Sequence, residues 1–205
     1  MDKKFISKVV PLFLENGPKA LTMDDIAKEF GMSKKTLYQM YKNKEALLED
    51  VLQFKLYDII ERIKLHESNI DNAVERMFCR DEEIENAVET NNSMFIKQLV
   101  KYYPSIFHKH MVNFSEKFSE IMVNNIRKGR EQQMYREDFN EETYSKLFFQ
   151  LMVSYESSPF LETENLSREV YKQGAFQMFL NAITTEKGKL TMKKLNEKYN
   201  EKQTV

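Results

Sequence analysis

The chain has 205 residues, of which 41% are hydrophobic and 31% are charged, and its formal net charge is −1. Five glycines, four prolines and the lack of a run that alternates at period two indicate an all-helical protein. No apolar run reaches the roughly 18 residues of a membrane span, we expect no signal peptide, and the single Cys79 excludes an internal disulfide and fits a reducing cytoplasm.

The charge is unevenly distributed along the chain. Residues 1–46 carry nine lysines and six acidic residues, residues 47–186 carry 16 basic and 24 acidic residues, and residues 187–205 carry six lysines and two glutamates. A basic head on an acidic body indicates that the head meets an anion, with a solvated face as the alternative. We therefore divide the chain into a head domain, 1–46, and a body domain, 47–205.

The head begins with two short amphipathic helices. Apolar residues at helical spacing after residue 5 predict the first helix, which Gly17 and Pro18 end. Thr22 offers an N-cap hydroxyl to the second helix, which runs to about Phe30. Two aspartates lie in its first turn, where negative charge complements the helix dipole.

A sharp turn and a third helix follow. Gly31 supplies the conformational freedom for the turn, and Ser33 can cap a helix that runs through about Lys42. Ala27 is small enough for the second and third helices to cross closely. Together these features predict a three-helix head with a helix-turn-helix of the kind that binds DNA, and the solvated surface of a small helical bundle is the alternative.

The third helix places polar and basic side chains on its outer face, while Leu37 turns inward. Lysine can donate to guanine, glutamine can bind adenine with two hydrogen bonds, and a tyrosine hydroxyl can reach a phosphate. Asn43 is the predicted cap of the next helix, at whose start amide groups and an ammonium could hold a phosphate. The predicted DNA contacts are Lys34, Lys35, Thr36, Tyr38, Gln39 and Lys44.

Residues 21–52 read LTMDDIAKEFGMSKKTLYQMYKNKEALLEDVL and resemble the DNA-binding signature of the TetR family of transcriptional regulators. The matching positions are Thr22, Ile26, Ala27, Gly31, Ser33, Thr36, Leu37, Tyr38, Tyr41, Lys44 and Leu47. The resemblance implies that Thr22, Tyr38 and Lys44 contact phosphates and that Lys34, Lys35, Thr36 and Gln39 read bases. Phe30 and Lys35 depart from the pattern, since many members have Ala and Gly there, and Lys35 changes the reading surface.

The body is predicted to be a helical bundle. A helix from Lys44 to about His66 is followed by helical runs over 70–89, 91–103, 105–132, 141–157 and 165–185. Residues 126–142 are similar to the segment before the last two long helices of the family, except that a glycine usual near Gln132 or Gln133 is missing. The resemblance implies that the last two helices form a four-helix homodimer interface, with packing inside one chain as the alternative. The candidate residues are Leu147, Phe148, Leu151, Met152, Tyr155, Val170, Phe176, Phe179, Leu180 and Ile183.

The body is rich in methionine and phenylalanine: 11 of the 15 Phe and eight of the 12 Met lie beyond residue 75. Such residues can line an adaptable apolar pocket, and the resemblance implies a cavity for an apolar or amphipathic small-molecule inducer. Ordinary core packing is the alternative. The candidate ligand-binding residues are Met94, Phe95, Phe107, Met111, Phe114, Phe118, Met122, Phe148 and Met152.

Other chemistry has little support in the sequence. His108 and His110 are two residues apart and would point to different faces of a helix, which disfavours a shared metal. Glu82 and Glu85 lie in a charged run typical of a wet helix face, and the tail from Lys187 is predicted to be a solvated terminal helix. We expect a cytoplasmic homodimeric repressor without catalytic activity, metal or cofactor, and the alternative is a helical sensor or carrier of apolar molecules that no longer binds DNA.

Overall fold

The computed structural model describes residues 2–78, 92–158, 160–161 and 165–201. These residues form ten helices and no strand, so the all-α prediction is confirmed. The helices are α1 (Lys3–Ala20), α2 (Met23–Glu29), α3 (Lys34–Met40), α4 (Lys44–Ser68), α5 (Ala73–Met77), α6 (Asn92–Tyr102), α7 (Pro104–Glu131), α8 (Glu141–Ser157), α9 (Arg168–Ile183) and α10 (Glu186–Glu201).

The first helix starts and changes direction where local chemistry requires it. The Asp2 carboxylate accepts the amides of Lys4 and Phe5 over 3.0 and 3.1 Å, which caps α1. Gly17, with φ 74° and ψ 149°, leaves the helical conformation, so the predicted stop is confirmed even though one further turn follows it. Between these points α1 buries an apolar face that consists of Phe5, Ile6, Val9 and Phe13.

The described residues divide into two compact units. The first contains 2–61 and 92–114, and the second contains 62–78 and the described residues from 115 onward. Each unit has its own apolar cluster: Leu37, Leu47 and Phe95 are fully buried in the first, and Ile126, Leu180 and Ile183 in the second. The proposed division into domains 1–46 and 47–205 concerns independent folding and stays a prediction.

The helical runs predicted for the body agree closely with the helices of the structure, with two differences. The run predicted over 70–89 yields α5 (Ala73–Met77), and residues 79–91, with Cys79, Glu82 and Glu85, lie outside the described part. The tail is more than a solvated helix, because Met192 and Leu195 of α10 are buried in the second cluster. Lys198 of the same helix contacts Glu75 over 3.2 Å.

None of the described helices combines the length and the hydropathy that a membrane span requires.

Candidate nucleic-acid interface

The start of α2 is fixed by a reciprocal pair of hydrogen bonds. Thr22 Oγ1 accepts the amide of Asp25 over 3.1 Å, and the Asp25 carboxylate accepts the amide of Thr22 over 2.9 Å. The Thr22 hydroxyl and amide donate to Asp25 and hold the pKa of that carboxyl below its usual value. The predicted cap is therefore confirmed, and it leaves Thr22 on the surface at the N-terminal end of α2.

The turn between α2 and α3 has the geometry that the sequence predicts. Gly31 adopts φ 60°, and the amide of Met32 donates to the carbonyl of Ala27 over 2.9 Å. Ala27 is buried, and α2 packs against α3. Because Gly31 has no Cβ, it adopts this positive φ without strain. The small side chain of Ala27 permits the close packing of the two helices.

The outer face of α3 carries the predicted DNA-binding side chains. Ser33 caps the helix, since its hydroxyl accepts the Thr36 amide over 3.0 Å, and Leu37 is fully buried beneath. On the opposite side the exposed residues are Lys34, Lys35, Thr36, Tyr38 and Gln39. The structure therefore brings these five together on one surface, and their contacts with DNA stay a prediction.

The end of α3 differs from the prediction that it reaches Lys42. The helix ends at Met40, because Tyr41 is extended, with φ −135° and ψ 116°. The ring of Tyr41 is buried and stacks on Phe5, with 6.1 Å between ring centroids. Burial, together with the neighbouring Asp50, raises the pKa of Tyr41 well above its usual value, so its hydroxyl remains protonated.

Two of the predicted lysines already have partners inside the chain. Lys34 forms an ion pair with Asp24 of α2, and this hydrogen bond raises the pKa of the Lys34 ammonium. Lys44 is half-buried, and its Nζ lies 3.4 Å from the carbonyl oxygen of Lys19, to which it donates. Burial lowers the pKa of Lys44.

The start of α4 is less open than the sequence reasoning assumed. Asn43 Oδ1 accepts the amide of Ala46 over 2.9 Å, which confirms Asn43 as a cap and occupies one of the free amides. Asp24 and Asp50, which hold Lys34 and Tyr41 in place, were not predicted to do so. The only sequence signal for them is an acidic residue one or two helices away from a basic or phenolic side chain.

The predicted ligand-binding residues are divided between the two units. Phe95 is fully buried in the first cluster, and Phe107 packs against that cluster. Met122 and Phe148 belong to the second cluster. Met94 is 39% exposed. Of the remaining four, Met111 and Phe114 fall in the first unit and Phe118 and Met152 in the second.

Half of the predicted dimer residues lie in the interior of one chain. Five of the ten candidates are buried: Phe148, Tyr155, Phe179, Leu180 and Ile183. Phe148 stacks on Phe179 with 4.4 Å between centroids, as α8 packs on α9. The large apolar side chains that these two helices expose are Leu147 and Val170, which are among the candidates, and Met178, which is not.

The fold and this surface define a helix-turn-helix protein with a basic, exposed second helix of the motif. The sequence profile described as "Bacterial regulatory proteins, tetR family" matches residues 9–51. The uncharacterized HTH-type transcriptional regulator YvaF of Bacillus subtilis (strain 168) is 30% identical over 105 residues, which are 50% of this chain and 54% of that protein. The match therefore spans about half the length of this curated relative.

Solved structures resemble the chain over most of its length. A transcriptional regulator from Cytophaga hutchinsonii ATCC 33406 superposes with a TM-score of 0.71 at 20% identity, covering 88% of this chain and 97% of that one. FadR from Bacillus subtilis in complex with stearoyl-CoA gives 0.65 at 16% identity, with 86% and 96% covered. Residues 9–51 thus match the tetR family of bacterial regulatory proteins, as the sequence resemblance predicted, and the likeness to the solved structures extends the agreement in fold to most of the chain.

Proposed function

We propose that this TetR-family transcriptional regulator binds a near-palindromic operator as a homodimer and releases it when a small molecule binds its body. The observation that carries the proposal is the outer face of α3, where five polar or basic side chains surround the buried Leu37. A helix presented in this way fits the major groove of duplex DNA. Because the operator lies on the chromosome, the proposed regulator works in the cytoplasm.

The contacts divide by chemistry into base readers and phosphate contacts. Lys35 and Gln39 are exposed and without the intramolecular ion pair of Lys34, so we assign them to base edges. Thr36 is the third proposed reader. Thr22 and Tyr38 present hydroxyl or amide donors that suit phosphates, which position the protein without specifying sequence. Lys34 can bind DNA only if its ion pair with Asp24 is broken.

A dimer is expected because one short helix offers too few contacts for specific affinity in the usual range. The outward face of α9 supports the pairing, since of the residues that this helix exposes only Glu169, in its first turn, is charged, although 31% of the chain is. Gly174 on this face has open space around it, which would allow another helix to approach closely. The exposed residues are Glu169, Val170, Gln173, Gly174, Gln177, Met178 and Asn181.

An apolar or amphipathic ligand is supported by the aromatic side chains of the second unit. The ring centroids of Phe118 and Phe148 lie 6.1 Å apart, and the ring of Phe148 in turn stacks on Phe179. Met122 and Met152 belong to the same apolar cluster. The similar fold of FadR holds stearoyl-CoA. A ligand can release DNA only to the extent that it prefers the arrangement of the dimer that has low affinity for DNA over the arrangement that has high affinity for DNA.

Selection of bound fragments from sheared genomic DNA tests DNA binding directly. We expect enrichment of an inverted repeat. Gln39→Ala or Lys35→Ala should relax the preference at one base pair of each half-site, with a loss of about 1–3 kcal/mol in the free energy of binding to the cognate site. Lys117→Ala, an exposed lysine of α7 in the second unit, serves as the control. Failure to enrich any sequence would favour a helical sensor that no longer binds DNA.

Sedimentation tests the dimer. Met178 is 56% exposed, so Met178→Glu should yield folded monomers that bind the operator far more weakly. Phe179→Glu is unsuitable for this purpose, because Phe179 is 4% exposed and the change would disrupt the core of one chain. Glu142→Gln, on the exposed start of α8, is the control variant. A Met178→Glu protein that remains dimeric would place the interface elsewhere.

A further inference from the structure

Three lysines and two tyrosines converge beside the helix-turn-helix, at the end of α1, the start of α4 and the junction of α6 with α7. Lys19 Nζ lies 3.2 Å from the hydroxyl of Tyr102 and 4.6 Å from the centroid of its ring. Lys101 Nζ lies 5.3 Å from the same centroid. Lys44 Nζ lies 5.9 Å from the Tyr103 ring and 3.4 Å from the carbonyl oxygen of Lys19.

The chain holds Lys19 in place by a specific contact between α1 and α6. The amide of Lys19 donates to Gln98 Oε1 over 2.8 Å. The Gln98 carboxamide occupies the space next to Gly17, where a Cβ would lie 2.6 Å from Oε1. Tyr103 donates a longer hydrogen bond of 3.4 Å to the Pro18 carbonyl. The cluster is therefore a built feature of the first unit and includes residues far apart in sequence.

The three lysines give the cluster positive charge. In the described part of the chain none of the three ammonium groups forms an ion pair with a carboxylate. The hydrogen bond from Lys19, with the nearby charge of Lys101, lowers the pKa of Tyr102. Lys101 and Tyr102 are exposed, so an anion outside the molecule can reach them.

The cluster is continuous with the proposed phosphate contacts of the helix-turn-helix. Lys44 interacts electrostatically with Asp25, the capping partner of Thr22. Lys19 precedes Thr22 by three residues and its carbonyl accepts from Lys44. A basic edge thus extends from Lys44, which lies near the start of α2, through Lys19 to Tyr102 and Lys101.

We propose that Lys19, Lys101 and Tyr102 bind the phosphodiester backbone of the operator outside the helix-turn-helix, at the flank of each half-site. The inference rests on the proposed DNA-binding function. Duplex DNA is the partner that fits, because its phosphates form a regular row of anions that an extended basic edge can follow. Lysines supply the charge, and the Tyr102 hydroxyl supplies a further donor to a phosphate oxygen. These contacts add affinity for any sequence and read no bases.

The test measures the dependence of affinity on salt with two probes. One is a duplex that carries the selected genomic site with ten or more additional base pairs on each side (about one helical turn), and the other is trimmed to the outer ends of the half-sites. Each phosphate contact contributes about 0.9 to the slope of log affinity against log salt. On the long probe Lys101→Ala, present in both subunits of the dimer, should lower this slope by about 1.8.

On the trimmed probe the slopes of wild type and Lys101→Ala should coincide, because the flanking phosphates are missing. Lys101→Arg should restore the slope on the long probe, and Lys117→Ala should leave it unchanged on both. Equal slopes for wild type and Lys101→Ala on the long probe, or the same decrease on both probes, would overturn the flanking contact. A wild-type protein that binds neither probe would instead refute the proposed function.

Discussion

The phenolic hydroxyl of Tyr41 donates a 3.1 Å hydrogen bond to Asp50 Oδ2 and so fastens the end of α3 to α4. Tyr41 immediately follows the last residue of α3 and its ring is buried against Phe5. The orientation of the outer face of α3 therefore depends on a contact inside the chain.

Replacement of Tyr41 by phenylalanine should retain the ring packing and remove this hydrogen bond. We expect the free energy of unfolding to fall by about 1 kcal/mol, the usual net value of one such bond. Chemical denaturation followed by circular dichroism measures it. Asp50→Asn, which leaves an acceptor for the hydroxyl, should cost less, and a larger loss for Asp50→Asn would show that the hydroxyl is not its main partner.

The capping box of α2 gives a second prediction. Thr22→Ala removes the hydroxyl that accepts the Asp25 amide and should lower the free energy of unfolding by about 1 kcal/mol. The pKa of Asp25 should rise back toward its ordinary value, because its largest hydrogen-bond donor is lost. A carboxyl titration followed by NMR measures that change. Thr22→Ser retains the hydroxyl and should keep both properties, and an unchanged Asp25 pKa in Thr22→Ala would exclude the capping box in solution.

His110 gives a prediction for pH. It is 8% exposed on α7, and burial lowers its pKa, a shift that Lys109 reinforces and that Glu49 and Asp50 oppose. Because the folded pKa lies below the unfolded value of about 6.5, the unfolded state binds more protons in acid. This contribution to stability is therefore present above about pH 6.5 and is lost as pH falls toward the folded pKa.

Denaturation at pH 7.5 and pH 5.5 (about one unit on either side of the unfolded pKa) measures the effect of His110. We expect His110→Gln to show a smaller loss of stability between the two conditions than wild type. His108→Gln changes an exposed histidine two residues away and is the matched control. If both variants lose as much stability as wild type, His110 does not carry the pH dependence.

In the segment after α7, replacement of Gln133 by glycine should stabilise the folded protein. Gln133 has φ 61°, a left-handed conformation that costs a side chain roughly 1–2 kcal/mol, and it lies where the family usually has a glycine nearby. Gln133→Gly should raise the free energy of unfolding by up to about 1 kcal/mol, since the gain is offset by the entropy of glycine in the unfolded chain.

Gln132→Gly should have the opposite effect and serves as the matched comparison. The Gln132 side chain accepts the Ala73 amide over 2.9 Å and donates to the Asp71 carbonyl over 2.8 Å. Loss of both bonds should lower the free energy of unfolding by about 2 kcal/mol. Thermal and denaturant unfolding of the pair measure the difference, and a destabilised Gln133→Gly would contradict the left-handed conformation.

Much of the head could be predicted from sequence because its determinants are local. The caps at Thr22, Ser33 and Asn43 act over three residues, and Gly31 acts at its own φ. The end of α3 could not, because Lys42 continues the helical pattern while Tyr41 is drawn to Phe5 and Asp50. Contacts between helices decided that boundary.

The sequence by itself determined the helical class, the helix-turn-helix and the match of residues 9–51 to the tetR family, since hydrophobic period, turn residues and caps are local features of the chain. Only the tertiary structure decided which apolar side chain of a helix faces the core, as with the neighbours Phe179, buried, and Met178, exposed. It alone brought Lys19 to Tyr102 across 83 positions. Periodicity shows that one face of a helix is covered, but the partner that covers it is set by packing between distant segments, which a local pattern does not encode.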